Sequence, residues 1–102
     1  MAITNVVLTT TGNAVVTSSG TSVVSVMYFC NNNGSAQTIN VYAVPSGGSA
    51  AANTLIYKTV TIAAGDTFVV DMEKIVLGNG DAIVATASAN SAITATASYV
   101  GA

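Results

Sequence analysis

Short apolar runs alternate with polar turns along the whole chain. Val, Ile, Thr and Tyr recur in these runs, and Gly, Asn, Ser or Pro separate them, a spacing typical of short β-strands. Apolar residues do not repeat at intervals of three and four over a helical length, so the pattern predicts no helix. We place strands at residues 3–10, 14–18, 21–30, 37–44, 55–62, 67–72, 82–88 and 92–100, with a short piece at 74–77.

The strand at residues 21–30 is the predicted core strand. Simple alternation would put Val23, Met27 and Phe29 on one face, with Val24 and Tyr28 on the other. Both faces are then apolar. Such a strand is either central and covered on both sides, or lies at an interface.

The strand at residues 92–100 has a different pattern. Ile93 and Tyr99 belong to an apolar face, and Thr94, Thr96 and Ser98 form a hydroxylated one. Interpreted as an edge strand, it carries neither the charge nor the proline that usually blocks edge pairing. Either it pairs across subunits or another part of the same chain covers it.

Together these strands predict one all-β domain spanning residues 1–102. A chain of 102 residues has room for a single core. About eight short strands favour a compact antiparallel β-sandwich or a jelly-roll-like barrel.

The low content of charged residues is the most informative feature of the composition. Only 6% of the residues are charged, against about 25% in a typical soluble domain. Because solubility depends on charged surface, we expect neighbouring subunits to cover much of this one. A neutral, hydroxyl-rich surface open to solvent is the alternative.

The same charge distribution bears on partners. The net charge of -2, with Lys58 and Lys74 as the cations, argues against nucleic-acid binding. No apolar run reaches membrane-spanning length, and residues 1–5 lack the features of a signal peptide. We therefore expect no membrane partner and synthesis in the cytoplasm.

All the charged residues lie between residues 55 and 88, which invites a search for catalysis. Asp71 and Glu73 would share a strand face and could act as an acid and a base. Lys74 beside them makes a solvated edge or a salt bridge the favoured interpretation. The chain has no histidine, and Cys30 is its single cysteine, so we predict no catalytic, cofactor or metal site.

Two other acids have a predicted structural role. Asp66 and Asp81 each follow a glycine at the entry to a strand, where a carboxylate can accept hydrogen bonds from the amides of its own turn. Calcium binding is the alternative, but the ligand spacing of a calcium loop is missing.

Aromatic side chains and one loop are the candidate interface elements. Aromatic residues with few cations nearby are usually core or interface anchors. The loop at residues 46–54 is either a connector or a contact loop, since long loops in compact domains are often functional. The resulting candidates are Tyr28, Phe29, Tyr42, Tyr57, Tyr99, Gly47 and Gly48.

Three segments carry a resemblance to a known class of proteins: IYKTVTIAAGDTF at residues 56–68, EKIVLGNGDAI at 73–83 and ASYV at 97–100. In these strands and turns the chain resembles small virion structural proteins of tailed bacteriophages, notably those of cyanophages and other marine phages. The resemblance covers most of the chain from Tyr28 onwards.

The resemblance implies a non-enzymatic β-sandwich that assembles in many copies on the virion. The expected role is a capsid decoration or cement protein, assembled in the host cytoplasm. Its partners would be itself, as a homo-oligomer, and other virion proteins, with the major capsid protein first among them. A neck, tail or fibre component is the alternative, as is a carbohydrate- or receptor-binding module at a fibre tip.

Overall fold

The computed structural model describes residues 2–70 and 75–101. Almost all of this is β-structure. The strands are β1 (Ala2–Val7), β2 (Asn13–Thr17), β3 (Ser22–Asn31), β4 (Gln37–Val44), β5 (Leu55–Ile62), β6 (Thr67–Val70), β7 (Ile75–Leu77), β8 (Ala82–Ala87) and β9 (Ile93–Gly101). A short 3₁₀ helix, Ala52–Thr54, lies in the loop before β5, where no helix was predicted.

The strands form two antiparallel sheets. One has the order β1-β9-β3-β6, with β7 also pairing with β3, and the other has the order β2-β8-β4-β5. The predicted all-β antiparallel sandwich is confirmed, with nine strands in the described ranges where about eight were expected.

Strand β3 is the predicted core strand and lies in the middle of its sheet. It pairs with β9 along one edge and with β6 and β7 along the other. The predicted division of its faces is wrong, because the register shifts between Val24 and Val26. A bulge adds one residue to a strand and reverses the alternation beyond it. Val24 therefore points inwards together with Met27 and Phe29, while Val23 faces outwards.

Strand β9 is not an edge strand, contrary to expectation. It lies between β1 and β3, with Thr96 paired to Asn5 on one side and to Tyr28 on the other. Its unguarded backbone is covered within the chain, which was the alternative interpretation. The predicted alternation of its faces is confirmed, since Ile93, Ala95 and Ala97 are buried.

Strand β1 is shorter than the predicted residues 3–10 and ends at Val7. Beyond it the chain crosses to the other sheet in a tight connection. The amide of Thr9 donates to the side-chain oxygen of Asn13 at 2.8 Å, and Gly12 takes a φ of 106°, which glycine adopts without strain. Residues 8–12 therefore join the two layers.

The core lies between the sheets and receives one face of each. Its largest buried side chains are Leu8, Met27, Phe29, Ile39, Ile83 and Ile93. Near one end, the rings of Phe29 and Phe68 lie 6.4 Å apart, and Tyr57 meets Phe68 edge-on at 5.8 Å. Aromatic contacts of this kind contribute beyond their buried area.

Candidate functional site

The outer face of the five-stranded sheet is the most unusual surface of the described chain. We call it the apolar face and define it by the outward positions of β1, β9, β3, β6 and β7. Strand register places these side chains in rows: Val7, Thr94, Cys30 and Thr67; Asn5, Thr96, Tyr28 and Val69; Ile3, Ser98 and Val26; and Val100, Val23 and Val76.

Most of these positions carry apolar side chains, and several are well exposed. Ile3 is 70% exposed, Val76 66% and Tyr28 42%. Of the large apolar residues that are exposed in the described ranges, all but Ile56 lie on this face. The solvated face of an antiparallel sheet is normally polar. None of the described strand positions on the face carries a charge.

The four-stranded sheet provides the contrast. Its outer face pairs Thr38 with Thr61 and Asn40 with Thr86, so hydroxyl and amide groups occupy two successive rows. Lys58 is exposed on its edge strand β5. The exposed large apolar side chains of the described ranges are therefore concentrated on the apolar face.

The four tyrosines among the predicted aromatic anchors separate into three groups. Tyr28 is exposed on the apolar face. Tyr42 is half-buried and pairs with Val84 on the outer side of the other sheet. Tyr57 and Tyr99 are half-buried and pack against the core.

Phe29 does not reach the surface at all, which corrects its place among the interface candidates. It has 0% exposure and packs between the sheets. Successive strand residues point to opposite faces, so the exposure of Tyr28 requires that Phe29 point inwards.

The two glycines of the predicted contact loop form a turn. The amide of Gly48 donates to the carbonyl oxygen of Pro45 at 2.8 Å, and Gly47 has a φ of 79°. A turn of this shape requires positive φ at its third residue, and glycine provides it. Both glycines are exposed at one end of the sandwich, so their positions are explained by the turn itself.

Asp81 organises the same end of the sandwich. Its Oδ2 accepts a hydrogen bond from the amide of Gly78 at 2.9 Å, and its Oδ1 accepts one from the amide of Ser46 at 2.8 Å. Asp66 likewise accepts from the amide of Thr67 at 2.8 Å. These carboxylates have the turn-structuring geometry that the sequence predicted.

A depression of about 200 Å³ lies beside Asp81, between the ends of the two sheets. Its lining is Ala43, Val44, Pro45, Ile75, Val76, Leu77 and Asp81. Small-molecule pockets usually hold about 300 Å³ or more and include polar groups that converge on a ligand. Here both carboxylate oxygens of Asp81 are occupied by backbone amides.

The other residues considered for catalysis or metal binding form no site in the described ranges. Asp71, Glu73 and Lys74, considered above as a catalytic group, lie outside the described residues. Within the described ranges no cluster of three or more His, Cys, Asp or Glu side chains is placed to hold a metal ion. Cys30 is exposed on the apolar face.

The sequence-based interpretation missed a buried asparagine. Asn31 has 0% exposure and lies one residue beyond the predicted strand at residues 21–30. Its Nδ2 donates to the carbonyl oxygens of Ser35 and Ile62, at 3.0 and 2.9 Å, and its Oδ1 accepts from the amide of Asn33. The run of three asparagines concealed it, because Asn is equally typical of an exposed turn.

No family model matches the chain, and neither a curated protein nor a solved structure matches it. Among the residues that the structure describes, no helix is long and apolar enough to cross a membrane.

Proposed function

We propose that this chain is a non-enzymatic structural subunit of a bacteriophage virion, and specifically a decoration or cement protein of the capsid. The observation that carries the proposal is the apolar face. A surface with Ile3, Tyr28 and Val76 exposed and no described charge is poorly suited to solvent. It is well suited to a subunit that is covered when assembled.

The geometry supports an assembly role over glycan recognition at a fibre tip. A sugar site would combine an exposed aromatic ring with acidic or amide groups in one depression. Apart from the Asp81 carboxylate, the described lining of the depression is aliphatic and contains no aromatic ring. Tyr28 lies on a sheet face among Thr96, Val69 and Cys30. The amide in its row, that of Asn5, already donates a hydrogen bond to the Thr96 hydroxyl at 2.8 Å.

The acids that the structure describes support the same proposal. Asp66 and Asp81 are engaged by backbone amides of turns, which stabilises the loops at the strand ends. Their contribution is to the shape of the subunit.

The test is the copy number of the chain in purified particles of the phage that encodes it. Quantitative mass spectrometry, normalised to the major capsid protein, should find hundreds of copies per particle if the chain decorates the head. A handful to a few dozen copies would place it in the neck, tail or fibres instead. Its absence from the particles would overturn the proposal of a virion subunit.

A further inference from the structure

We propose that the apolar face is the contact between two copies of this chain, which pack sheet against sheet about a twofold axis. The inference rests on the proposed function in one respect, namely that the subunit works in many copies. It adds the surface, the partner and the geometry of the contact.

The relief of the face is self-complementary. Its β9 column carries the short side chains of Thr94, Thr96 and Ser98, so we infer a shallow groove there, bordered at Thr96 by the Asn5 amide, which donates to the Thr96 hydroxyl at 2.8 Å. The β3 column beside it carries Val26 and Tyr28 and forms a ridge. Ridge and groove are adjacent and parallel.

A twofold axis that runs along the strands between β3 and β9 brings each ridge over the groove of the other copy. In a contact of this kind, residue i meets residue j and j meets i. Because Tyr28 and Thr96 are in register, each Tyr28 ring then lies over Thr96 of the second copy. Two sheets packed in this way lie about 10 Å apart.

The charge of the face is compatible with a second copy. A symmetric contact places the same surface on both sides, so any charge near the axis would oppose its own sign. The described strand positions here are apolar, hydroxyl or amide. No described position on this face carries a charged group that could pair with a charged partner.

The area of the apolar face indicates which class of contact to expect. A face four strands wide and six residue steps long measures about 19 by 20 Å, so that two copies cover roughly 1,000 Å² once side-chain relief is counted. This is the size at which specific contacts begin. We therefore expect a weak, concentration-dependent dimer with a dissociation constant in the range of roughly 1 µM to 1 mM.

The experiment compares the full chain with two lysine variants by sedimentation velocity from about 1 µM to about 1 mM. Thr96→Lys fills the groove. Because each copy contributes one lysine, it also places two like charges close to the twofold axis. Thr86→Lys is the matched control, since Thr86 is also a half-buried, outward-facing threonine on a central strand, but in the other sheet. We expect wild type and Thr86→Lys to dimerise alike, and Thr96→Lys to dissociate at least about tenfold more readily.

A second measurement uses the native thiol and needs no substitution. Cys30 lies on the face one row from Tyr28 and is the single cysteine of the chain. Its reaction with a bulky maleimide should slow as the wild-type concentration rises through the dissociation constant. The labelled chain should be monomeric. This readout remains if Thr96→Lys fails to fold, which circular dichroism would show.

Three outcomes would overturn the inference. The first is a wild-type chain that remains monomeric at about 1 mM, which would leave the face to a different protein or to a glycan. The second is a Thr96→Lys chain that dimerises like wild type, which would indicate pairing through a strand edge such as β1. The third is a thiol that reacts at the same rate at every concentration. None of these results bears on the copy number in particles, so failure of this inference can be distinguished from failure of the proposed function.

Discussion

The Oδ1 atom of Asp81 lies 2.8 Å from the backbone nitrogen of Ser46 and joins two loops that are far apart in sequence. Its Oδ2 atom meanwhile accepts from Gly78 within its own turn. One carboxylate thus fixes both the entry to β8 and the chain that leaves β4. We expect its loss to loosen the whole end of the sandwich.

Asp81→Ala should lower the free energy of unfolding by about 1 to 3 kcal/mol, because two backbone amides lose their acceptor. Asp81→Asn keeps one acceptor oxygen and should cost about half as much. Urea unfolding of both variants measures the difference. Equal stability of the alanine variant and wild type would show that neither hydrogen bond contributes to stability.

Asn31 should be the most sensitive polar position of the described chain. Asn31→Asp replaces the donor to Ile62 by a buried carboxylate that faces carbonyl oxygens, so we expect a loss of about 3 kcal/mol or more. Asn32→Ala is the matched control because Asn32 is the exposed neighbour, and it should change stability by less than about 0.5 kcal/mol. Thermal unfolding of the pair tests this, and similar melting temperatures would contradict it.

Substitution of two adjacent residues on opposite faces of β3 should affect different properties, namely monomer stability for Phe29 and self-association for Tyr28. Phe29→Ala leaves a cavity in the core and should cost about 3 to 5 kcal/mol. Tyr28→Ala should cost less than about 1 kcal/mol in the monomer, measured well below the dissociation constant, while weakening self-association. Unfolding and sedimentation of the two variants check both parts. A large loss of monomer stability in Tyr28→Ala would contradict the exposed position of this ring.

Thr59 should be a site where substitution stabilises the fold. It is a β-branched residue with a φ of 53°, in a left-handed conformation that costs such residues about 1 to 2 kcal/mol. Asn tolerates this conformation, so Thr59→Asn should raise the free energy of unfolding by about 0.5 to 1 kcal/mol. Thr61→Asn, in the regular part of β5 opposite Thr38, is the control and should be neutral or slightly destabilising. A Thr59→Asn variant that is less stable than wild type would contradict the claim that the backbone at Thr59 is strained.

The sequence predicted single strands well where their pattern is local. The predicted residues 37–44 and 55–62 coincide with β4 and β5, because Pro45 and the turn at residues 63–66 end them sharply. The faces of β3 were wrong for a physical reason. A bulge between Val24 and Val26 arises from pairing with β9, which local alternation does not encode.

The apolar face could not be found from any one strand. The outward side of β9 is hydroxylated at Thr94, Thr96 and Ser98, and apart from Val100 the apolar residues come from β1, β3, β6 and β7, which are far apart in sequence. Only the strand order brings Ile3, Tyr28 and Val76 to one surface. The low charge content pointed to a covered surface without indicating which one.

The position of β9 between β1 and β3 also has a consequence for synthesis. The two early strands have no direct pairing with each other and are bridged by residues 93–101. The five-stranded sheet can therefore close only after this late segment has left the ribosome. Long-range pairing of this kind makes folding slow, on the order of milliseconds to seconds. During that interval the edges of β1 and β3 that later pair with β9 are unpaired. Nascent chains on the same polysome are close together, so they are the chains most prone to intermolecular strand pairing.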